Sequence, residues 1–262
     1  MKTEVLGARS FKAFFPFVLL MLFSSCYISQ ESVYTGRNTL PESVKSSKAP
    51  GYGRIPRVFA IEQLPAPELK IRPEISRELS RFKNREQKII QVAHEFRKKH
   101  YRTLKQIFID EGIPLELLSV ALVESGYRTD ARSSQGAVGM WQFMKPTAKA
   151  YGLSIGFLED QRKDPVLSTI AAARLLRDLY EAYNDWPLAL AAYNAGPARV
   201  DRALVDSGSK DYWELCTKGY FGTETQRFVP KILAAAIIEK NPTLYGFNLE
   251  EETNGDQGRP GV

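Results

Sequence analysis

The fold turns on the stretch Leu115-Glu-Leu-Leu-Ser-Val-Ala-Leu-Val-Glu124-Ser-Gly126. Apart from Glu116 and Ser119, every side chain from Leu115 to Val123 is apolar. A segment apolar on almost every side predicts a helix buried among other helices, not one lying on a surface. Pro114 suits the opening of such a helix. The run closes on a carboxylate, Glu124. Apolar surroundings disfavour its anion and raise its pKa, as a general acid working near neutral pH requires. Position alone leaves open the plainer reading of a glutamate at a frayed helix end, pointing into water.

Outward from this stretch the pattern stays helical. Ile89, Ala93, Phe96, Leu104 and Phe108 keep the three- and four-residue spacing of one apolar face, and Gly112 ends that helix. Asp164-Pro165 caps a long helix carrying Leu167, Ile170, Ala171, Leu175, Leu179 and Tyr183. Asp185 and Pro187 open a short alanine-rich helix that stops at Gly196-Pro197. A last helix runs from about Thr223 to Lys240, with Pro230 inside it and Asn241-Pro242 closing it. No run of alternating strands appears. The expected fold class is all-α, in a domain over residues 86–245.

The flanks differ from this core. Lys2, Arg9 and Lys12 precede an apolar run from Ala13 to Phe23, followed by Ser24-Ser25-Cys26. The run is too short for a spanning helix, which needs ~20 residues, but it fits an export signal. Residues 1–25 therefore read as a signal peptide. Cys26 resembles the lipid-bearing cysteine of bacterial lipoproteins, although Phe23 stands where such sites usually have Leu. The resemblance implies a membrane anchor at Cys26 and a periplasmic face, with the outer membrane as the expected location. The alternative is a simple signal cleaved near Ser25. Residues 26–85, interrupted by eight prolines and glycines between Pro41 and Pro73, read as an extended stem. The Gly-rich, acidic tail 246–262 reads as disordered.

Charge narrows the function. The chain carries +6 overall, but from residue 86 onward 22 basic residues face 23 acidic ones. The surplus lies before the domain, whereas a nucleic-acid enzyme concentrates positive charge where phosphates dock. No nucleic-acid partner is expected. With only His94, His100, Cys26 and Cys216 available, no metal site is expected either. Cys216 reads as a packed side chain.

Behind Glu124, residues 126–145 form a polar loop with Ser133, Ser134, Gly136 and Gly139, closing on Met140-Trp-Gln-Phe-Met144. A Trp or Met exposed beside polar amides suits a sugar, whose rings have apolar faces and hydroxyl edges. The alternative is that Trp141 and Phe143 anchor the loop in the core, as one of the pair is expected to do.

Four signatures now stand in order: Glu124-Ser125; Gly136-Ala-Val-Gly-Met-Trp-Gln-Phe-Met144; Ala192-Tyr-Asn-Ala-Gly196; and Glu224-Thr225. Together they resemble the family 1 lytic transglycosylases, whose SLT domain has a goose-lysozyme-like helical fold. Trp141, where many members have Met, is similar to the membrane-bound D subgroup. LysM glycan-binding repeats, frequent in that subgroup, are not expected here. The resemblance implies cleavage of peptidoglycan glycan strands between N-acetylmuramic acid and N-acetylglucosamine without water, leaving 1,6-anhydromuramyl ends, and no cofactor. It implies Glu124 as acid and base, and Ser133 bonded near the glutamate or the N-acetyl group. Gln142 and Met144 would line the groove, Tyr193 would orient Glu124 and the scissile bond, and Glu224 would close the groove. Asn194 would hold backbone between helices. Phe228 stands where the family often has Tyr. Two rival readings remain: a hydrolytic muramidase on the same fold, with Asp130 as its weak second carboxylate, and a glycan-binding protein without catalysis.

Overall fold

The computed structural model describes residues 62–247. The expected signal peptide, Cys26, most of the stem and the tail beyond 247 lie outside the described residues. Nine α-helices follow in order among them: α1 (Pro73–Asn84), α2 (Gln87–Asp110), α3 (Ser119–Ser125), α4 (Lys145–Ala150), α5 (Pro165–Tyr183), α6 (Trp186–Ala195), α7 (Pro197–Ser207), α8 (Tyr212–Thr217) and α9 (Thr223–Lys240). Isolated bridges such as Arg132 with Val138 and Val138 with Phe143 are the nearest approach to a strand in this region. The fold is all-α, as the periodicity predicts.

Local chemistry sets the helix starts. Asp164 accepts from the backbone N–H groups of Val166 and Leu167, both at 2.8 Å, and Asp185 accepts from Leu188 N–H at 2.8 Å. Each carboxylate satisfies donors that a helix start leaves unpaired. Pro165, Pro187 and Pro197 sit in the first turns, where proline costs no hydrogen bond. Pro230 is tolerated inside α9, in the interior of the domain.

The core is built on α9, which packs against α1, α3 and α6. Its Val229, Ile232, Leu233 and Ile238 are buried. The decisive stretch divides: Leu115–Leu118 is a 3-10 turn, and α proper begins at Ser119. Ser119 Oγ donates to Glu239 Oε2 at 2.7 Å, and the buried Tyr127 hydroxyl donates to Leu118 O at 3.1 Å or to Glu239 Oε1 at 3.3 Å. Glu239 of α9 thus holds both ends of α3, so the position of Glu124 follows from a long-range staple.

Two boundaries need correction. Residues 26–85 do not form an extended stem to their end. Helix α1 buries Ile75, Leu79 and Phe82 against the core, and Glu78 meets Arg81 and Arg227. Before α1, residues 62–72 are extended but pinned. Leu64 N–H donates to Gly112 O (3.0 Å), Gln63 Nε2 to Ile109 O (2.8 Å), and Trp186 Nε1 to Pro65 O (2.6 Å). The tail also starts later than residue 246, because Phe247 is buried and its N–H bonds Pro242 O at 3.0 Å. In both places apolar side chains find distant partners that composition does not display.

Candidate active site

Glu124 occupies the last turn of α3, which ends at Gly126 in the left-handed conformation (φ 64°). Glycine adopts that angle without strain, so the chain can turn away sharply after the carboxylate. Glu124 as a residue is half-buried. Protein nevertheless surrounds the carboxyl closely enough that burial, aided by the charge of Glu224, pushes its pKa up to about 8. Among the described residues no cation pairs with it. The group is therefore protonated at neutral pH and can donate a proton.

The loop behind it is fixed through its backbone. Ser125 Oγ donates to Met140 O at 2.9 Å, and Tyr193 Oη donates to Trp141 O at 2.7 Å. Consecutive carbonyls are thus held from α3 and from α6. Gln142, at φ 48°, turns its Nε2 back to Gly139 O at 2.7 Å. Gly139 has no room for a side chain: a Cβ there would lie 1.9 Å from Arg162 O. Arg162 is buried. Its Nη1 donates to Gly136 O and Phe143 O, each at 3.0 Å, while Nε and Nη2 hold Asp160 at 2.9 and 2.8 Å. Those bonds keep the Asp160 carboxyl below its usual pKa range.

Tyr193 stacks on Phe228, with centroids 6.4 Å apart. Burial, and then the neighbouring Glu124, raise its phenol pKa well above the ordinary value, so it stays a hydrogen-bond donor. Glu224 is exposed at the start of α9. It accepts from Asn194 Nδ2 at 3.4 Å, and Thr225 Oγ1 donates to Asn194 Oδ1 at 2.7 Å. Asn194 therefore ties α6 to α9 through side chains, not by the expected hold on backbone.

The structure brings Tyr193 and Glu224 each within electrostatic range of Glu124. Gln142 belongs to the same loop, and Met144 is exposed at its end. Ser133 is engaged in its own turn, where its Oγ accepts from Ala137 N–H at 3.0 Å. Trp141 is not an exposed sugar platform. It is fully buried, stacks on Phe108 and donates from Nε1 to Thr169 Oγ1 at 2.9 Å; Phe143 is buried too. Asp130 is exposed on the loop. Sequence reasoning missed Arg162 altogether, and the short spacing Asp160-Gln-Arg162 was its only local signal. Among the described residues no group of three or more His, Cys, Asp or Glu is placed to hold a metal.

Residues 110–216 match the Transglycosylase SLT domain family. The membrane-bound lytic murein transglycosylase D of Escherichia coli K12 is 37% identical over 143 residues, which is 53% of this chain and 31% of that protein. The chain thus covers under a third of that relative's length. The peptidoglycan transglycosylase gp16 of phage T7 is 37% identical over 112 residues, covering 41% of this chain and 8% of that protein. Among solved structures, an inactive mutant of the lytic transglycosylase Slt from Pseudomonas aeruginosa aligns with a TM-score of 0.47 at 26% identity, covering 58% of this chain and 26% of that one. Glu124, the loop that closes on Met144, and Tyr193 all fall inside residues 110–216, the segment that matches the Transglycosylase SLT domain family.

Proposed function

We propose that this protein is a peptidoglycan lytic transglycosylase that uses Glu124 as its single acid and base. The observation that carries the reading is a carboxyl with a pKa of about 8, set in the SLT signature at the end of a buried helix. Glu124 donates its proton to the oxygen linking N-acetylmuramic acid to N-acetylglucosamine, and that bond breaks. The muramic N-acetyl group stabilises the cationic anomeric carbon. The Glu124 carboxylate then takes the proton of the muramic C6 hydroxyl, whose oxygen closes on C1. Glu124 ends protonated again, and no water is consumed.

Tyr193 and Ser125 hold the carbonyls of Trp141 and Met140, and Gln142 and Met144 would line the groove beside them. Gln142 would contact the sugar, Ser133 would take part from its turn, and Glu224 would close the far side. Cys26 would anchor the chain in the cell envelope, at the periplasmic face of the outer membrane. A hydrolytic reading has one observation in its favour. A second carboxylate is electrostatically coupled to Glu124, and it is Glu224, not Asp130. Mass spectrometry of digested sacculi separates the two reactions. Anhydromuramyl ends are expected; reducing muramic ends, heavier by one water per cut, would show the hydrolase instead.

A further inference from the structure

Between α4 and α5 the chain makes a short hairpin. Ile155 and Asp160 pair across it as an antiparallel bridge, and Gly156 N–H donates to Glu159 O at 2.7 Å. Gln161 braces the base: its N–H donates to Ser154 O at 3.0 Å, and its Oε1 accepts from Ser154 N–H at 2.8 Å. The two residues left at the tip are Phe157 and Leu158. They are exposed to 102% and 95% of their full area, whereas Ile155, just before them, packs on the core.

Turn chemistry does not call for these side chains. Hairpin tips favour Asn, Asp and Gly, which adopt the tight backbone angles and suit water. Apolar residues exposed singly need no explanation, and Val205 and Leu244 are of that kind. An adjacent, wholly uncovered Phe-Leu pair on a braced tip is a different feature. The pair offers on the order of 300–400 Å² of surface, well under the ~800 Å² that each partner gives to a stable protein interface. A second copy of the chain, or a flat protein partner, would need far more than this tip. A lipid surface needs no matching face, because acyl chains close around a protruding side chain from every direction. Among the described residues no helix is long and apolar enough to cross a membrane, so contact of this kind is shallow.

We propose that Phe157 and Leu158 dip into the interfacial layer of a lipid bilayer and hold the domain against it. The charges beside the tip say how. Glu159 is exposed, its Oε1 accepting from Gln161 Nε2 at 3.2 Å, and Asp160 is taken up by Arg162 Nη2 at 2.8 Å. Residues 154–161 include no Lys or Arg. The attachment is therefore apolar, indifferent to anionic lipid and little weakened by salt. The hairpin also bears on the candidate site. Asp160 ends it and holds Arg162, whose Nη1 donates to the carbonyls of Gly136 and Phe143 on either side of Gln142. A tip seated in lipid thus sets the bearing of that loop relative to the membrane, whatever reaction Glu124 performs.

The test reads the tip itself in the full chain, so that attachment through the N-terminal segment does not mask it. Phe157→Trp places a fluorophore at the tip, and the wild type supplies the background from Trp141, Trp186 and Trp213. With phosphatidylcholine vesicles the added emission should shift to the blue. Bromination of the acyl chains should quench roughly half of it or more, as expected at interfacial depth. Both effects should persist at high salt and change little when phosphatidylglycerol is added to the vesicles. Phe157→Trp/Leu158→Asp should lose them, and Val205→Trp, on α7, should show neither. Circular dichroism checks the folding of each variant. Unquenched emission from Phe157→Trp, or equal quenching in Phe157→Trp and Val205→Trp, would overturn the proposal, as would quenching that requires anionic lipid. So would a blue shift that appears without lipid, either with self-association seen by sedimentation or on addition of sacculi, because the tip then serves a second copy or the wall.

Discussion

Glu78 and Glu124 lie in the same helical domain and are treated oppositely. Glu78, on α1, is almost completely buried, and its charge is met by Arg81 and Arg227. Glu124, at the end of α3, is half-buried as a residue, has no cationic partner among the described residues, and feels another carboxylate instead. A buried charge with matched partners holds elements together, here α1 to α9. A carboxyl crowded by protein and denied a cation holds its proton to about pH 8 and can give it away. Charge partnership, more than depth of burial, separates the staple from the candidate acid.

The largest effect should come from removing the proton. Glu124→Gln keeps the shape of a protonated glutamate but can neither donate nor accept the transferred proton. Loss of sacculus turbidity should slow by about 10³-fold or more. The same variant should gain stability. An acid raised from 4.5 to about 8 binds its proton more tightly when folded, so the wild type loses stability as pH rises through that window. Glu124→Gln has no such loss. It should therefore match the wild type below about pH 4.5 and exceed it by on the order of 2–4 kcal/mol above pH 8. Denaturant titrations at both pH values check this. A folded variant cleaving at the wild-type rate would make Glu124 a structural residue.

Glu78→Ala should do the reverse. It leaves Arg81 and Arg227 without their carboxylate and opens a small void under α1. The cost is about 2 kcal/mol, lower than for a fully buried pair because both arginines are partly exposed. Turnover per folded molecule should stay near wild type at a temperature where the variant is native. A large fall in turnover without a fall in stability would erase the distinction between the two glutamates.

How far the sequence revealed these regions depended on whether their partners were local. Helices α5, α6 and α9 were legible because Asp164, Asp185 and the surrounding prolines mark their boundaries within a few residues. Helix α1 was obscured by the proline-rich run before it, although Ile75, Leu79 and Phe82 already had helical spacing. Glu124 itself was legible, because an apolar helix ending in a carboxylate is a local pattern. Its surroundings were not. The burial of Trp141 depends on Phe108 and Thr169, and the loop that carries Gln142 depends on Arg162. Such contacts cross long sequence separations, and no periodicity announces them.

The smallest effect sharpens the comparison most directly, because it changes the partnership of Glu124 and not the group itself. Burial is the larger cause of the raised pKa, and Glu224 is the second. Glu224→Gln removes that neighbouring negative charge while keeping an oxygen that can accept from Asn194 Nδ2. Ionised Glu124 then meets less repulsion, so its pKa moves down from about 8, though burial still holds it above the usual range. Only protonated Glu124 can begin the reaction, so the alkaline limb of kcat/KM should follow that pKa to lower pH. Tyr193 does not confuse this limb, since its phenol titrates far above it. The first step creates the carboxylate that the second step needs, so no acid limb from Glu124 should appear in either protein. The measurement is a pair of pH–rate profiles on sacculi, wild type against Glu224→Gln. A limb that stays in place would show that Glu224 does not set the acidity of Glu124, and a limb displaced upward would reverse the assignment of its charge.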